Sequence, residues 1–159
     1  MKNKIIWDFK YKGIACQIVH WGLEDYPKEL SVDGIWNAYI IIHKKQLPKQ
    51  FTKLLCEVET IKDFKRKYWK YYKLDDYFDM HGGLTFYEVI REEFTGQITV
   101  VKVGCDYVHS WDRDYTYSES ILENDLKKSV ECFMAHFPNY LIRRISDGKY
   151  VKPGIEELI

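Results

Sequence analysis

The sequence lacks the cysteine spacing that zinc ribbons and disulfide-rich domains require. Its 4 cysteines are Cys16, Cys56, Cys105 and Cys132, and no two of them form a C-x-x-C pair. Disulfide-stapled extracellular domains are dense in cysteine, and structural zinc sites usually take cysteines in closely spaced pairs. We therefore expect reduced, mostly buried thiols and a cytoplasmic protein.

Long apolar runs and an excess of charge are also absent. The N-terminal MKNKIIWDFKYKG has an apolar run of only three residues, which is too short for a signal peptide. No later run approaches the length of a membrane span. Lys+Arg and Asp+Glu both number 24, so the formal net charge is +0 and no global field steers the chain to nucleic acid or to an anionic membrane. The sequence predicts a soluble protein without a membrane segment.

Several widespread catalytic motifs are missing as well. The chain contains no G-x-x-x-x-G-K-[ST], G-x-G-x-x-G, H-E-x-x-H or G-x-S-x-G motif. Their absence argues against the common nucleotide triphosphatases, dinucleotide-binding enzymes, zinc proteases and α/β-hydrolases.

Strand-like segments dominate what is present. Residues 4–21 contain two β-rich runs separated by Lys12-Gly13, a two-residue turn signal, and so predict a hairpin. Residues 36–43, WNAYIIIH, form the strongest single strand candidate. Residues 84–92 and 98–106 predict a second antiparallel hairpin.

Two segments carry the period of an amphipathic helix. Residues 60–72 repeat apolar side chains at three- and four-residue spacing, with Thr60 and Asp63 as a plausible cap. A second helix is predicted over 120–137, where Ser120 and Glu123 suggest a capping box. Its apolar stripe comprises Leu122, Leu126, Val130, Phe133, Met134 and Phe137.

The order of these elements indicates an α+β fold. The 159 residues are 46% hydrophobic, which suits one domain with a real core spanning residues 1–159. We predict a mainly antiparallel sheet of five or six strands with two helices packed on one face. A short hairpin is also predicted in the tail, around residues 147–148.

Two polar clusters lie at what would be one end of the second hairpin. DMHGGLTFYEVI, residues 79–90, begins with an acid, a histidine and two glycines directly before one predicted strand. VGCDYVHSWD, residues 103–112, follows the other strand with the pattern G-x-D-x-x-H-x-x-D, which starts at Gly104. Because the outer ends of an antiparallel pair meet, we expect the two clusters to face each other.

Imidazoles and carboxylates together suit a divalent metal, and we consider Zn, Mn or Mg. The predicted metal ligands are Asp79, His81, Asp106, His109 and Asp112. The same side chains would equally serve a metal-free general acid and base.

In either case His81, His109 and Asp106 are the candidate catalytic residues. Gly82 and Gly83 would let main-chain N–H groups approach an anionic ligand closely, so we predict that they contribute to ligand or cofactor binding. The alternative is that the acids and histidines cap turns and that the two glycines serve an ordinary turn.

A basic and aromatic segment is a second candidate site. Residues 62–73, KDFKRKYWKYYK, alternate cations with rings, a composition that suits nucleic acid or a protein partner. The alternative is an amphipathic helix with a solvated lysine face. The candidate surface residues are Lys65, Arg66, Tyr68, Trp69 and Tyr72.

The two histidine motifs resemble a family of small uncharacterised proteins of bacteriophages and prophages. HGGLTF (81–86), the acid at Asp79 and the later G-x-D-x-x-H-x-x-D run followed by a helix carry the resemblance, which covers about residues 76–134. Tyr107, Ser110 and Trp111 stand where the family has small residues, and Cys105 lies one position early. The resemblance implies a phage origin, the cytoplasm of a bacterial host and a shared polar site, but no reaction.

Three functions from different classes follow. The first is a hydrolase that acts on a nucleotide or phosphodiester, with a metal or by acid and base catalysis. The second is a non-catalytic phage inhibitor of a bacterial defence system, of the anti-CRISPR or signal-sequestering type. It would bind a host defence protein or a nucleotide. The third is a structural phage protein in which the polar cluster braces the hairpin.

Overall fold

Five antiparallel strands form the centre of the computed structural model, which describes residues 4–22, 34–59, 73–112 and 115–137. Neighbouring strands follow the order β1-β2-β3-β5-β4, and every pair is antiparallel. This arrangement, together with two substantial helices, confirms the predicted α+β class. The strands are β1 (Lys4–Tyr11), β2 (Ile14–Trp21), β3 (Ile35–His43), β4 (Phe86–Arg91) and β5 (Ile98–Asp106).

Both predicted hairpins are present. Lys12 and Gly13 have φ angles of 50° and 79°, the pair of positive values that a two-residue type I′ turn needs between twisted strands. In the second hairpin, β4 begins at Phe86 rather than at Leu84. Leu84 is buried, and Thr85 donates its main-chain N–H to Gly104 O at 3.0 Å and so clamps the start of β4 to the end of β5.

The two helices pack on one face of the sheet. They are α1 (Lys49–Glu59) and α2 (Glu119–His136), and short 3-10 helices span Lys44–Gln46 and Ser110–Asp112. We did not predict α1, although its buried Phe51 and Leu55 have helical spacing. The predicted helix over 60–72 and the hairpin around 147–148 lie outside the described residues. Within the described residues, no helix combines the length and apolar character needed to cross a membrane.

The predicted capping box of α2 is wrong, whereas its apolar stripe is confirmed. Ser118, not Ser120, is the N-cap: it has an extended backbone, and its Oγ accepts a hydrogen bond from Ile121 N at 3.3 Å. Ser120 is an exposed residue inside the first turn. The helix begins earlier than predicted because Ser118 lies three residues before Ile121 and can accept a hydrogen bond from its main-chain N–H. The spacing of Ser120 and Glu123 alone did not reveal this alternative cap. All six residues of the predicted stripe are buried.

Removing this cap tests the start of the helix. Ser118→Ala leaves Ile121 N–H without its side-chain acceptor, and we expect the free energy of unfolding to fall by about 1 kcal/mol. Ser120→Ala is the matched control, and because alanine is the better helix former it should be neutral or slightly stabilising. Urea unfolding of both variants provides the measurement. If Ser120→Ala lowered the free energy of unfolding more than Ser118→Ala, the capping box predicted from the spacing would be correct after all.

An aromatic cluster connects the helices to the segment that precedes the site. Phe51 of α1 makes edge contacts with Phe133 of α2 and with Phe137, the C-cap of α2, at ring-centroid distances of 5.2 and 6.0 Å. It also contacts Tyr77 and Phe78 at 5.5 and 5.8 Å. Because such aromatic packing favours defined ring geometries, the chain leading toward residue 81 is held against both helices.

Candidate functional site

The start of β4 and the end of β5 bring the two histidine clusters together. Phe86 pairs with Gly104 in the sheet, and Asp106 N donates to Thr85 Oγ1 at 3.1 Å. The loop before β4 and the segment after β5 therefore leave the sheet side by side. The rings of His81 and His109 lie 5.5 Å apart between centroids, at an interplanar angle of 64°. The two imidazoles are neighbours, as the hairpin geometry predicted.

A single carboxylate, that of Asp112, joins the two imidazoles. His81 Nε2 lies 2.8 Å from Asp112 Oδ1, and His109 Nδ1 lies 2.9 Å from Asp112 Oδ2. The main-chain N–H of His109 also donates to Oδ2 at 2.9 Å, and the Tyr117 hydroxyl donates to Oδ1. Asp112 itself is 0% exposed. A buried carboxylate is costly unless its oxygens are satisfied, and here each oxygen accepts two hydrogen bonds.

These hydrogen bonds keep Asp112 ionised. Burial alone would raise the pKa of its carboxyl group, but the hydrogen bonds from Tyr117, from the main chain and ring of His109, and from His81 outweigh it and hold the pKa below its ordinary value. A carboxylate only accepts hydrogen bonds, so the nitrogens that face it carry protons. In the neutral imidazoles this assigns the lone pairs to His81 Nδ1 and His109 Nε2, the nitrogens turned away from Asp112.

Each imidazole is also backed by an aromatic ring. His81 stacks on Tyr107 with centroids 4.0 Å apart and planes 9° apart, and His109 stacks on Trp111 at 4.4 Å and 9°. Tyr107 is 1% exposed and donates its hydroxyl to Asp125 Oδ2 of α2 at 2.6 Å. Tyr107 and Trp111 therefore hold the two histidine rings in place.

Gly82 makes room for His109. An ideal Cβ built on Gly82 would overlap Cε1 and Nε2 of the His109 ring more closely than real Cβ atoms approach any group. Gly82 also has a φ of +67°, in the region that favours glycine. Its neighbour Gly83 donates its N–H to Met80 O at 2.9 Å, so that donor serves the turn and not an anionic ligand. Gly82 therefore acts sterically, and a contribution of Gly82 or Gly83 to ligand binding stays a prediction.

Two of the predicted metal ligands lie outside the histidine group. The Asp106 carboxylate accepts a hydrogen bond from Val108 N at 3.2 Å and so caps the turn after β5. Asp79 has a φ of 50° and donates its N–H to Asp75 O at 2.8 Å, on the side of the loop near Asp75. Turn chemistry accounts for the Asp106 carboxylate, whereas metal binding by Asp79 or Asp106 and catalysis by Asp106 stay predictions.

The sequence patterns missed three supporting residues. Asp75 Oδ1 accepts from Met80 N at 3.3 Å, directly before His81. Burial raises the Asp75 pKa above its ordinary value, although main-chain hydrogen bonds from Met80 and Leu84 oppose this. Tyr117 reaches Asp112, and Asp125 anchors Tyr107. No periodic pattern marks these positions, because each acts through a hydrogen bond to a residue brought close by the fold.

His81, His109 and Asp112 form a group that could hold a metal ion. One candidate ligand atom from each residue lies within 4.8 Å of the others. The histidine side chains are 21% and 17% exposed, so both rings remain accessible while Asp112 is enclosed. Imidazole nitrogen suits Zn or Mn better than Mg, which prefers oxygen ligands. Metal-binding histidines commonly donate their second ring N–H to a carboxylate, and Asp112 receives both of these N–H groups.

The cysteines contribute no ligand to this group. All four are free thiols, and Cys16 and Cys105 are buried whereas Cys56 is exposed and Cys132 is partly exposed. Burial raises the pKa of Cys16 to about 12, so it stays a neutral thiol at physiological pH. Reduced thiols agree with the expectation from their spacing, although only two of the four are buried.

The basic aromatic segment, with Lys65, Arg66, Tyr68, Trp69 and Tyr72, lies outside the described residues.

Comparisons with known proteins yielded no match to a protein-family model, to a curated protein or to a solved structure. The resemblance to phage proteins therefore stays a prediction, and the geometry of the histidine pair is the feature that indicates a function.

Proposed function

We propose that the protein is a hydrolase of a nucleotide or phosphodiester in which His81 and His109 act on the substrate. The observation that carries this proposal is the sharing of one fully buried carboxylate, Asp112, by both imidazoles. A turn needs no such arrangement, because a single capping oxygen would satisfy the loop. Paired imidazoles with a common orienting group are instead what acid and base catalysis requires.

The proposed chemistry uses the nitrogens that point away from Asp112. A neutral imidazole can take a proton from the attacking water, and a protonated imidazole can give one to the leaving oxygen. The ring centroids lie 5.5 Å apart, a separation that suits contact of both imidazoles with one phosphate group. Asp112 is a positioning residue: it selects the tautomer of each ring and stabilises the charge of whichever ring holds the extra proton.

A divalent metal fits the same residues. His81 and His109 would bind it, and a bound ion would polarise a phosphoryl oxygen and lower the pKa of a water ligand. Asp112 would orient both ligands from behind, since its oxygens already accept hydrogen bonds from the rings.

Metal addition and histidine replacement provide the test. The purified protein is treated with chelator and then incubated with Zn, Mn or Mg, and thermal unfolding and hydrolysis of nucleotides and of a chromogenic phosphodiester are followed. A bound metal should raise the melting temperature by about 5 °C or more at saturating concentration. Because His81 and His109 supply the proposed acid and base, His81→Ala and His109→Ala should each lower the hydrolysis rate by about a hundredfold or more.

His43→Ala is the matched control, because His43 is exposed at the far end of β3 and lies outside the histidine group. It should leave both the metal response and the hydrolysis rate unchanged. Hydrolysis without any metal response would select the acid and base form of the proposal. Equal rates for the wild type and for the His81→Ala, His109→Ala double variant, on every substrate that is turned over, would refute it.

A second candidate is sequestration of a nucleotide without turnover, as an inhibitor of host defence signalling would require. The observation that favours it is an exposed aromatic side chain, Trp111, directly beside the histidine pair. Tight nucleotide binding that depends on His81 and His109, with no product after prolonged incubation, would select this candidate over the hydrolase.

A further inference from the structure

We propose that the outer face of Trp111, extended by Tyr115, is a stacking platform for a nucleobase, so that the ligand is a nucleotide and not a phosphoester in general. The inference rests on the proposed function, because it assumes that the histidine pair meets the phosphate of the same ligand. It adds the recognition of the base, which neither the imidazoles nor Asp112 can supply.

The exposure of Trp111 is the first observation. One face of its indole lies against His109, at 4.4 Å and nearly parallel, yet 55% of the residue remains exposed. The imidazole of His109 covers one face of the indole, so the exposed area lies on the opposite face and the ring edges. A large aromatic side chain that keeps a flat face in water next to a polar site is available to stack on a planar ligand.

Tyr115 provides a second exposed ring close to Asp112, because its main-chain N–H donates to Asp112 O at 3.0 Å. It is 61% exposed, and its ring centroid lies 6.4 Å from that of Tyr117, whose hydroxyl donates to Asp112. Three aromatic side chains are prominently exposed in the described part of the chain: Trp111 stacks on His109, and Tyr115 lies beside Tyr117. The third, Phe94, lies in the turn between β4 and β5, at the opposite end of the hairpin.

The rigidity of the indole favours a base over a flexible apolar ligand. The 3-10 helix that contains Trp111 and the stack on His109 hold the indole in one orientation. Little side-chain entropy is therefore lost when the ring of a ligand covers it. Any nucleobase gains stacking energy on such a face, because every base has a flat π face. A ribose phosphate without a base has no ring to place there.

The test compares two ligands that differ only in the base. Isothermal titration is carried out with adenosine monophosphate and with ribose 5-phosphate, on the metal-free protein and on the Zn-treated protein. The wild type should bind the nucleotide about tenfold or more tightly than the sugar phosphate. Trp111→Leu keeps apolar cover but removes the π face, and it should abolish this preference. Trp111→Phe should retain most of it, and Tyr115→Ala should reduce it partially.

Phe94→Ala is the control for loss of an exposed aromatic side chain, and its preference should equal that of the wild type. Thermal unfolding of each variant shows that it is folded during the titration. Equal affinity of the wild type for the two ligands would overturn the stacking platform, and so would an unchanged preference in Trp111→Leu. Neither result depends on turnover: a retained preference without hydrolysis would refute the hydrolase alone, and hydrolysis without a preference would refute the platform alone.

Discussion

Replacing Gly82 by alanine is expected to displace His109 and disable the site. The new Cβ would overlap the His109 ring, which cannot move freely because it is bonded to Asp112 and stacked on Trp111. The positive φ of Gly82 adds strain of about 1–2 kcal/mol for any L-residue. We expect Gly82→Ala to lower the free energy of unfolding by about 3 kcal/mol and to abolish metal or nucleotide binding by the histidine pair.

The chain offers two controls that separate strain from overlap. Gly96 has a φ of +71° and no atom within 4 Å of its ideal Cβ, so Gly96→Ala carries the backbone strain alone. Gly83 has a φ of +91° and lies in the same loop, where its ideal Cβ would meet only Asp75 Oδ2 at 3.9 Å. Chemical denaturation and the NMR signals of the His109 ring provide the measurements. If Gly82→Ala and Gly83→Ala lowered the free energy of unfolding by the same amount, the steric role assigned to Gly82 would be wrong.

Replacing Asp112 by asparagine is expected to have the second large effect. The amide keeps the shape of the carboxylate but places N–H groups where one oxygen accepted hydrogen bonds from its partners. One imidazole then faces a donor and loses its orientation, and the buried main-chain N–H of His109 or the Tyr117 hydroxyl loses an acceptor. We expect a loss of about 3 kcal/mol in the free energy of unfolding, as for a broken buried network, together with loss of hydrolysis.

The pH dependence of this loss tests its electrostatic origin. The folded-state pKa of Asp112 is lowered, so its stabilising contribution is present in full above the unfolded-state value of about 3.9. The contribution is lost as the pH falls through the lower folded-state pKa. The stability difference between wild type and Asp112→Asn should therefore shrink as the pH falls below about 4.

Asp8→Asn is the control for a general carboxylate effect. Asp8 is exposed on β1 and accepts one side-chain hydrogen bond, from Gln17 Nε2 at 3.0 Å. Its replacement should change the free energy of unfolding by less than about 0.5 kcal/mol. Urea unfolding across the pH range supplies the comparison. A difference for Asp112→Asn that does not shrink in acid would show that shape, and not charge, explains its effect.

Much of the fold could be predicted because it depends on patterns among residues that are close together in the sequence. The two hairpins were found from alternating apolar residues and from the Lys12-Gly13 turn, and the stripe of α2 was found from its period. Helix α1 was not predicted, although its buried Phe51 and Leu55 share one face. Element boundaries shifted where a competing hydrogen bond decided them, as at Ser118.

The meeting of His81 and His109 was also predictable, since antiparallel pairing joins the outer ends of a hairpin. The sequence by itself thus determined the sheet and the end of it at which the site lies. It presented three acids, Asp79, Asp106 and Asp112, as candidate metal ligands, and Asp106 as a candidate catalytic residue as well. Only the tertiary structure decided among them, because the turn after β5 occupies Asp106 while the 3-10 helix turns Asp112 inward.

The same holds for the surroundings of the histidine rings. HGGLTF places two glycines beside a histidine, but only the approach of the His109 ring explains why Gly82 must be one of them. Likewise, Tyr107, Trp111 and Tyr117 act by stacking or hydrogen bonding with residues that the fold brings to them. Periodicity specifies which side chains share a face of one element. The fold decides which side chains meet when they lie on different elements, because those contacts depend on how the elements pack.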